Sequence, residues 1–233
     1  MLGPLDYTIW VACTLCEAAV VVCSLRRSAF RRYIFLNMYM AASVLFSVAR
    51  FRVLQQYGFS SSQYFYFYYY SDAIQTVLLY FALTSLFSKV FDEIRADRYV
   101  KYGATLLLLG TALFSYGVIQ QASDRLVTRF VVEMSQNLYF VGMVLTYILW
   151  GAIMKMRESR TRLIQLVLSL GIYFSLHAAD YAFRNLYPTT MTALSHLLPP
   201  LIGCFLPMAW AYAFWRLPEE ARLAPSRLAV IPR

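Results

Sequence analysis

With 233 residues, 60% of them hydrophobic and only 14% charged, the chain is too apolar for a water-facing surface, because soluble domains carry about 25% charged residues. A mean hydropathy of +0.54 points to an integral membrane protein. The net charge of +9 sits in short basic clusters between apolar stretches, a pattern that orients membrane proteins and gives no reason to expect a nucleic-acid partner.

Spanning a bilayer takes about 20 apolar residues at about 1.5 Å each. Seven segments qualify: Tyr7–Leu25, Tyr33–Phe51, Tyr64–Phe87, Val100–Ile119, Leu126–Met154, Leu163–Leu186 and Thr189–Trp215. The expected architecture is therefore all-α, a polytopic seven-transmembrane-helix bundle over residues 1–217. Residues 218–233, with three prolines and no apolar face, are expected to form a short, largely irregular cytoplasmic tail. The links are too short for a soluble domain, and no internal repeat is visible. The opening MLGPLDYT has no basic leader, so segment one is expected to remain as an anchor.

Segment one carries Glu17 and three cysteines, Cys13, Cys16 and Cys23, and the fourth, Cys204, lies in segment seven. A Cys-x-x-Cys spacing inside an apolar helix is expected to be small buried hydrophobes and not a disulfide or metal site. Segment two has a small polar stripe of Ser43, Ser47 and Arg50. Segment three opens with seven consecutive aromatics, Tyr64 to Tyr70, followed by Asp72. Gln75 and Thr76 fall on Asp72's face at i+3 and i+4. The aromatics suit a membrane interface, and some of them suit the mouth of a pocket.

Segment five repeats a polar face through Arg129, Glu133, Gln136, Asn137 and Phe140. Segment six does the same with Tyr173, His177, Asp180, Tyr181 and Arg184. Segment seven holds His196, with Pro199, Pro200, Pro207 and Gly203 marking a kink. Counted inward at the helical rise, Asp72, Glu133, Asp180 and His196 lie roughly 8–12 Å deep and Glu17 and His177 about 15 Å. Charges inside a membrane are costly and point to function, so these faces should meet in the bundle interior. Arg50, Arg52, Arg129 and Arg184 stand near enough to balance the four carboxylates.

Of the 21 basic residues, sixteen fall on one side of the segments and five on the other. The N-terminus is therefore expected outside and the C-terminus in the cytoplasm. A multi-pass plasma-membrane location, in a bacterial inner membrane, fits the absence of any Asn-x-Ser/Thr sequon.

The expected ligand-binding set is Glu17, Arg50, Asp72, Gln75, Glu133, Gln136, Asn137, His177, Asp180, Arg184 and His196, centred on segments three, five, six and seven. The expected role is sensor- or receptor-like: a polar pocket open to the outer face takes a small ligand or senses protons. Output passes to a cytoplasmic or membrane protein partner at the basic loops 26–32 and 155–162. No catalytic motif is visible, and no cofactor is expected.

Three alternatives stand beside that reading. His177 and His196 can ligate haem b in a redox-complex subunit, or form a two-histidine, one-carboxylate metal site with Asp180. The third is a small transporter or a purely structural subunit. Segment seven has no lysine, which excludes a retinal Schiff base. Two histidines leave the pattern of seven-helix zinc hydrolases incomplete, and neither Gly-x-Gly-Asp nor His-Glu-x-x-His occurs.

Overall fold

The computed structural model describes residues 3–93, 106, 109–110, 113, 137–148, 150–151, 161–187 and 198–218, with backbone alone for 91–93, 161, 184 and 185. Among them every regular element is helical: α1 (Pro4–Arg26), α2 (Ile34–Tyr57), α3 (Ser62–Glu93), α4 (Asn137–Ile148), α5 (Thr161–Leu186) and α6 (Leu198–Arg216). All but α4 are long and apolar enough to cross a membrane. Segment four and most of segment five lie outside the described residues, as do residues 219–233 of the tail.

Local chemistry explains the helix ends. Pro4 opens α1 with its fixed φ, and Asp6 Oδ2 accepts the Gly3 amide at 2.7 Å, three residues back. At the other end Ala29 N–H reaches Ser24 O and Ser28 N–H reaches Leu25 O, a Schellman closure with Ser28 at φ 53° where glycine is usual. α2 runs six residues beyond the expected Phe51 and stops at Gly58, whose φ of 79° breaks the helix. Arg52, one residue beyond the expected segment, therefore belongs to the helix, as Arg50 does. In the described part of α6, Pro207 lies inside the helix; the residues that precede Pro199 and Pro200, 191–197, lie outside the described residues.

α1 packs against α2 and α6, α2 against α3, and α6 against α5, with α3 closing the ring on α5 through a smaller contact. α4 lies on α5 at two close approaches. A Cβ on Gly142 would stand 2.6 Å from the Phe174 ring, and one on Gly171 would run into the Thr146 methyl. Small residues at such crossings let helix backbones come together in lipid, where no hydrophobic drive separates helix from solvent.

The packed core occupies the end of the bundle that carries the basic clusters. Leu83, Leu86, Leu166, Leu170, Phe174 and Phe214 are buried there, and Trp210, fully enclosed, donates from Nε1 to Leu166 O at 3.1 Å. Leu15, Leu45, Phe81 and Trp215 point outward with about half or more of their surface exposed. A belt of large apolar side chains around the outside of a bundle is the arrangement a bilayer stabilises and water does not. The chain is a membrane-spanning helical protein.

Cations at the basic end are tied to the bundle. Arg162, buried, donates from Nε and from a terminal nitrogen to Leu217 O at 3.1 and 2.6 Å, and Arg27 donates to Trp215 O at 2.7 Å. Both satisfy carbonyls at the C-terminus of α6, where helix partial charge favours a cation. Lys89 Nζ sits 4.4 Å from the Tyr33 ring centre, and Tyr33 packs edge-on against Phe214. Arg27 and Arg162, from the two basic loops expected to meet a partner, thus have intramolecular roles.

Candidate functional site: a polar, aromatic cavity between α1, α2, α3 and α6

At the opposite end the same helices enclose a cavity of about 740 Å³. Each contributes one helical stripe. α1 supplies Asp6, Trp10, Cys13 and Glu17; α2 supplies Tyr39, Ser43, Ser47 and Arg50; α3 supplies Tyr64, Tyr68, Asp72, Gln75 and Leu79; α6 supplies Pro200, Gly203, Leu206 and Pro207. Tyr139 of α4 and Tyr173 of α5 complete the inner wall. From Pro4 to Glu17 is about 20 Å along α1 at the helical rise, so the hollow follows more than half of that helix.

One hydrogen-bond chain links its charged groups. Arg50 donates to Ser71 Oγ at 2.7 Å, to Gln75 Oε1 at 3.2 Å and to Tyr68 O at 3.3 Å. Its guanidinium also lies 4.5 Å from the Tyr68 ring centre and 3.6 Å from Asp72 Oδ1. Because Gln75 uses its oxygen on Arg50, its amide nitrogen faces α2 and donates to Ser43 Oγ at 3.0 Å. Ser43 in turn donates to Glu17 Oε1 at 2.6 Å. The donors all run one way, from the guanidinium on α2 through α3 and back through α2 to the carboxylate on α1. Glu17 Oε2, at the end of the chain, is buried with no hydrogen-bond partner.

Two further polar groupings shape the wall. Trp10 Nε1 donates to Ser47 Oγ at 2.6 Å, and Thr14 donates to Trp10 O at 2.9 Å, so the 2.6 Å Ser47–Thr14 contact is donated by Ser47. That closed circuit fixes the facing surfaces of α1 and α2. On the inner side Tyr139 and Tyr173 meet edge-on at 6.0 Å beside Tyr39. Pro207, which lacks an amide, leaves Gly203 O without its usual helical donor, and both residues line the hollow.

Cys13 and Cys204 form a disulfide across α1 and α6 with a Cα–Cα separation of 4.9 Å, while Cys16 and Cys23 are free. This corrects the expectation that all four cysteines are simple buried hydrophobes. Cys13 and Cys204 are 191 residues apart in sequence, and only the packing of the first described helix on the last brings them within bonding range.

Of the expected ligand set, Glu17, Arg50, Asp72 and Gln75 are brought together in the cavity wall. Asn137, His177 and Asp180 are not in that wall. His177 stacks on Tyr139 at 4.6 Å and meets Tyr173 edge-on at 4.5 Å, while Asp180 is buried on the same helix. Glu133, Gln136 and His196 lie outside the described residues, and of Arg184 only the backbone is described, so the pairing of His177 with His196 does too. Among the described residues no group of three or more His, Cys, Asp and Glu is placed to hold a metal ion.

Among the described residues the cavity is lined chiefly by segments one, two, three and seven, with Tyr139 of segment five and Tyr173 of segment six. Its aromatic members Trp10, Tyr39, Tyr139 and Tyr173 were not singled out as site residues in the sequence, where rings in an apolar helix look like any other lipid-compatible residue. The stripe Trp10, Cys13, Glu17 was the available signal. The tyrosine run divides by face: Tyr64 and Tyr68 line the cavity, whereas Tyr66 and Tyr70 are 60% and 55% exposed. Rings turned to the cavity and rings turned outward lie on opposite sides of one helix.

Fold and cavity together define a polytopic helical membrane protein with a polar, tyrosine-rich hollow sealed at one end. No protein family, curated protein or solved structure matches the chain.

Proposed function

We propose that the chain is a non-enzymatic, sensor- or receptor-like protein of seven membrane-spanning helices, with the cavity opening to the outside and the C-terminus in the cytoplasm. The observation that carries this reading is the shape of the interior. Polar groups that lipid cannot satisfy surround a hollow running from the N-terminal end of α1 to a packed apolar layer. A hollow closed by Leu83, Leu86, Phe174 and Trp210 suits a site that is occupied from one side and favours it over a path across the membrane.

Two independent features favour the orientation. The basic clusters gather at the sealed end, which positive-inside bias places in the cytoplasm. The Cys13–Cys204 disulfide borders the cavity, and disulfides persist where the accessible side is oxidising. Occupancy of the hollow would act on α6 at Pro207, the interruption between the cavity and the arginine-capped C-terminus.

The test is labelling of Ser47→Cys with a membrane-impermeant thiol reagent, in a chain where Cys16 and Cys23 are replaced by serine. Labelling on intact cells is expected. Labelling only in inverted vesicles would reverse the orientation, and none from either side would mean that the cavity is closed to solvent.

A further inference from the structure

The cavity's charges are unequal in kind as well as number. Among the described residues its wall holds three carboxylates, Asp6, Glu17 and Asp72, against one cation, Arg50. Arg50 is committed five times over, to Ser71, Gln75, the Tyr68 carbonyl, the Tyr68 ring and Asp72. An anionic ligand would therefore find no open positive charge among the described residues of the wall. Asp6 accepts from Gly3 N at the mouth and Asp72 faces the guanidinium. Glu17, about 20 Å in along α1, keeps one carboxylate oxygen without a partner. A buried acceptor of that kind is costly until a donor reaches it.

The surroundings narrow the donor further. Among the described residues seven rings line the hollow: Trp10, Phe59 and the tyrosines at 39, 64, 68, 139 and 173. Aromatic faces attract cations, and they do so more strongly where water is excluded. A hard metal cation prefers six or more oxygen ligands, and no cluster of three potential ligands is gathered among the described residues. An uncharged polyol can satisfy the oxygen but leaves the surplus negative charge of the wall unbalanced.

Taking the cavity to be a ligand site as proposed above, we propose that its floor binds a small organic ammonium ion, with an N–H donated to Glu17 Oε2 and the hydrocarbon part held among the tyrosine rings. The relay Arg50–Gln75–Ser43 orients the carboxylate by occupying Oε1, which leaves Oε2 as the ligand's acceptor. Gly203 opens the wall on the α6 side, where an added Cβ would meet nothing within 4 Å.

The experiment uses the full chain in lipid nanodiscs and three probes of one shape: phenethylammonium, 2-phenylethanol and 3-phenylpropionate. Binding is read as the concentration-dependent rise in melting temperature. The ammonium is expected to bind about tenfold or more tighter than the alcohol, the range of one charge-assisted hydrogen bond, and the carboxylate weakest. Glu17→Gln, which keeps shape and can still accept from Ser43, is expected to lower ammonium affinity about tenfold while leaving the alcohol unchanged.

Equal binding of ammonium and alcohol to the unaltered chain would overturn the ammonium site yet leave a cavity that takes ligands. Preference for the carboxylate would overturn it by showing Arg50 to be available. Undiminished ammonium binding in Glu17→Gln would place the ligand elsewhere. Absence of binding by all three would remove the ammonium site and the ligand reading together. The probe comparison needs no variant, so poor folding of Glu17→Gln cannot shield the proposal.

Discussion

The two ends of this bundle are built from the same helices and differ in what the helices present to one another. Toward the basic end, α3, α5 and α6 meet through the buried side chains of Leu83, Leu86, Leu166, Leu170, Trp210 and Phe214. Toward the other end, the facing positions hold Glu17, Ser43, Ser47, Asp72, Gln75 and Gly203, and a cavity of about 740 Å³ is left. Polar side chains joined by directional hydrogen bonds hold helices at fixed separations without filling the gap between them. Apolar side chains are bound by no such geometry and pack until the gap is gone. The hollow is thus a consequence of where polarity was placed along four helices.

Substituting the same residue type at each end tests this contrast, and gives the largest expected effect. Trp210→Ala removes a fully buried indole and its bond to Leu166 O, so a loss of about 3–5 kcal/mol is expected. Trp10→Ala removes a half-buried indole that already borders a void, and should cost less than half of that despite losing the bond to Ser47. Reversible unfolding in mixed micelles measures both. Equal losses would mean that the cavity end is packed as tightly as the core.

The disulfide comes next. Cys13→Ser or Cys204→Ser should lower stability by about 2–4 kcal/mol, the usual range for a bridge closing a long loop. Non-reducing electrophoresis should show slower migration of either variant. If both thiols in the unaltered chain react with a maleimide before reduction, the bridge is absent and the α1–α6 wall is held by packing alone.

Two arginines at the sealed end give a smaller contrast. Arg162 is buried and makes two bonds to Leu217 O, so Arg162→Met is expected to cost about 2 kcal/mol, as for hydrogen bonds to charged groups. Arg27 makes one bond from an exposed position, and Arg27→Met should fall within about 1 kcal/mol of neutral. The reverse order would indicate that the C-terminus of α6 is held from the α1 side.

How much of this was readable in the sequence follows from what periodicity encodes. The stripe Ser43, Ser47, Arg50 and the shared face of Asp72 and Gln75 were visible because a 3.6-residue period determines which side chains share a face. The five long spans were visible from length and apolarity alone. Periodicity does not say which face meets which helix. Glu17 stood alone in its segment, and nothing local marks Ser43 as its partner or Cys204 as the partner of Cys13. Both pairings depend on α1 lying between α2 and α6. The end of segment two was not legible for a related reason: α2 ends at Tyr57, where Gly58 breaks it, and not where the hydrophobic run fades at Phe51.

The smallest effect probes the relay itself. Ser43→Ala takes away the hydroxyl that receives Gln75 Nε2 and donates to Glu17 Oε1. In a packed, dry interior the loss would strand a buried donor and a buried acceptor together, at about 1–3 kcal/mol for each. Beside a hollow of this size, water can enter and bridge the two, so the expected cost is only about 1 kcal/mol. Ser169→Ala supplies the contrast at the sealed end, because Ser169 is buried and bonds only to carbonyls of its own helix, Gln165 and Leu166. No partner from another helix is stranded there, and a change within about 0.5 kcal/mol is expected. If Ser43→Ala instead lost several kcal/mol, water would not be reaching the relay. The cavity end would then owe its stability to a closed network like that of a core, and the difference between the two ends would be one of polarity without access.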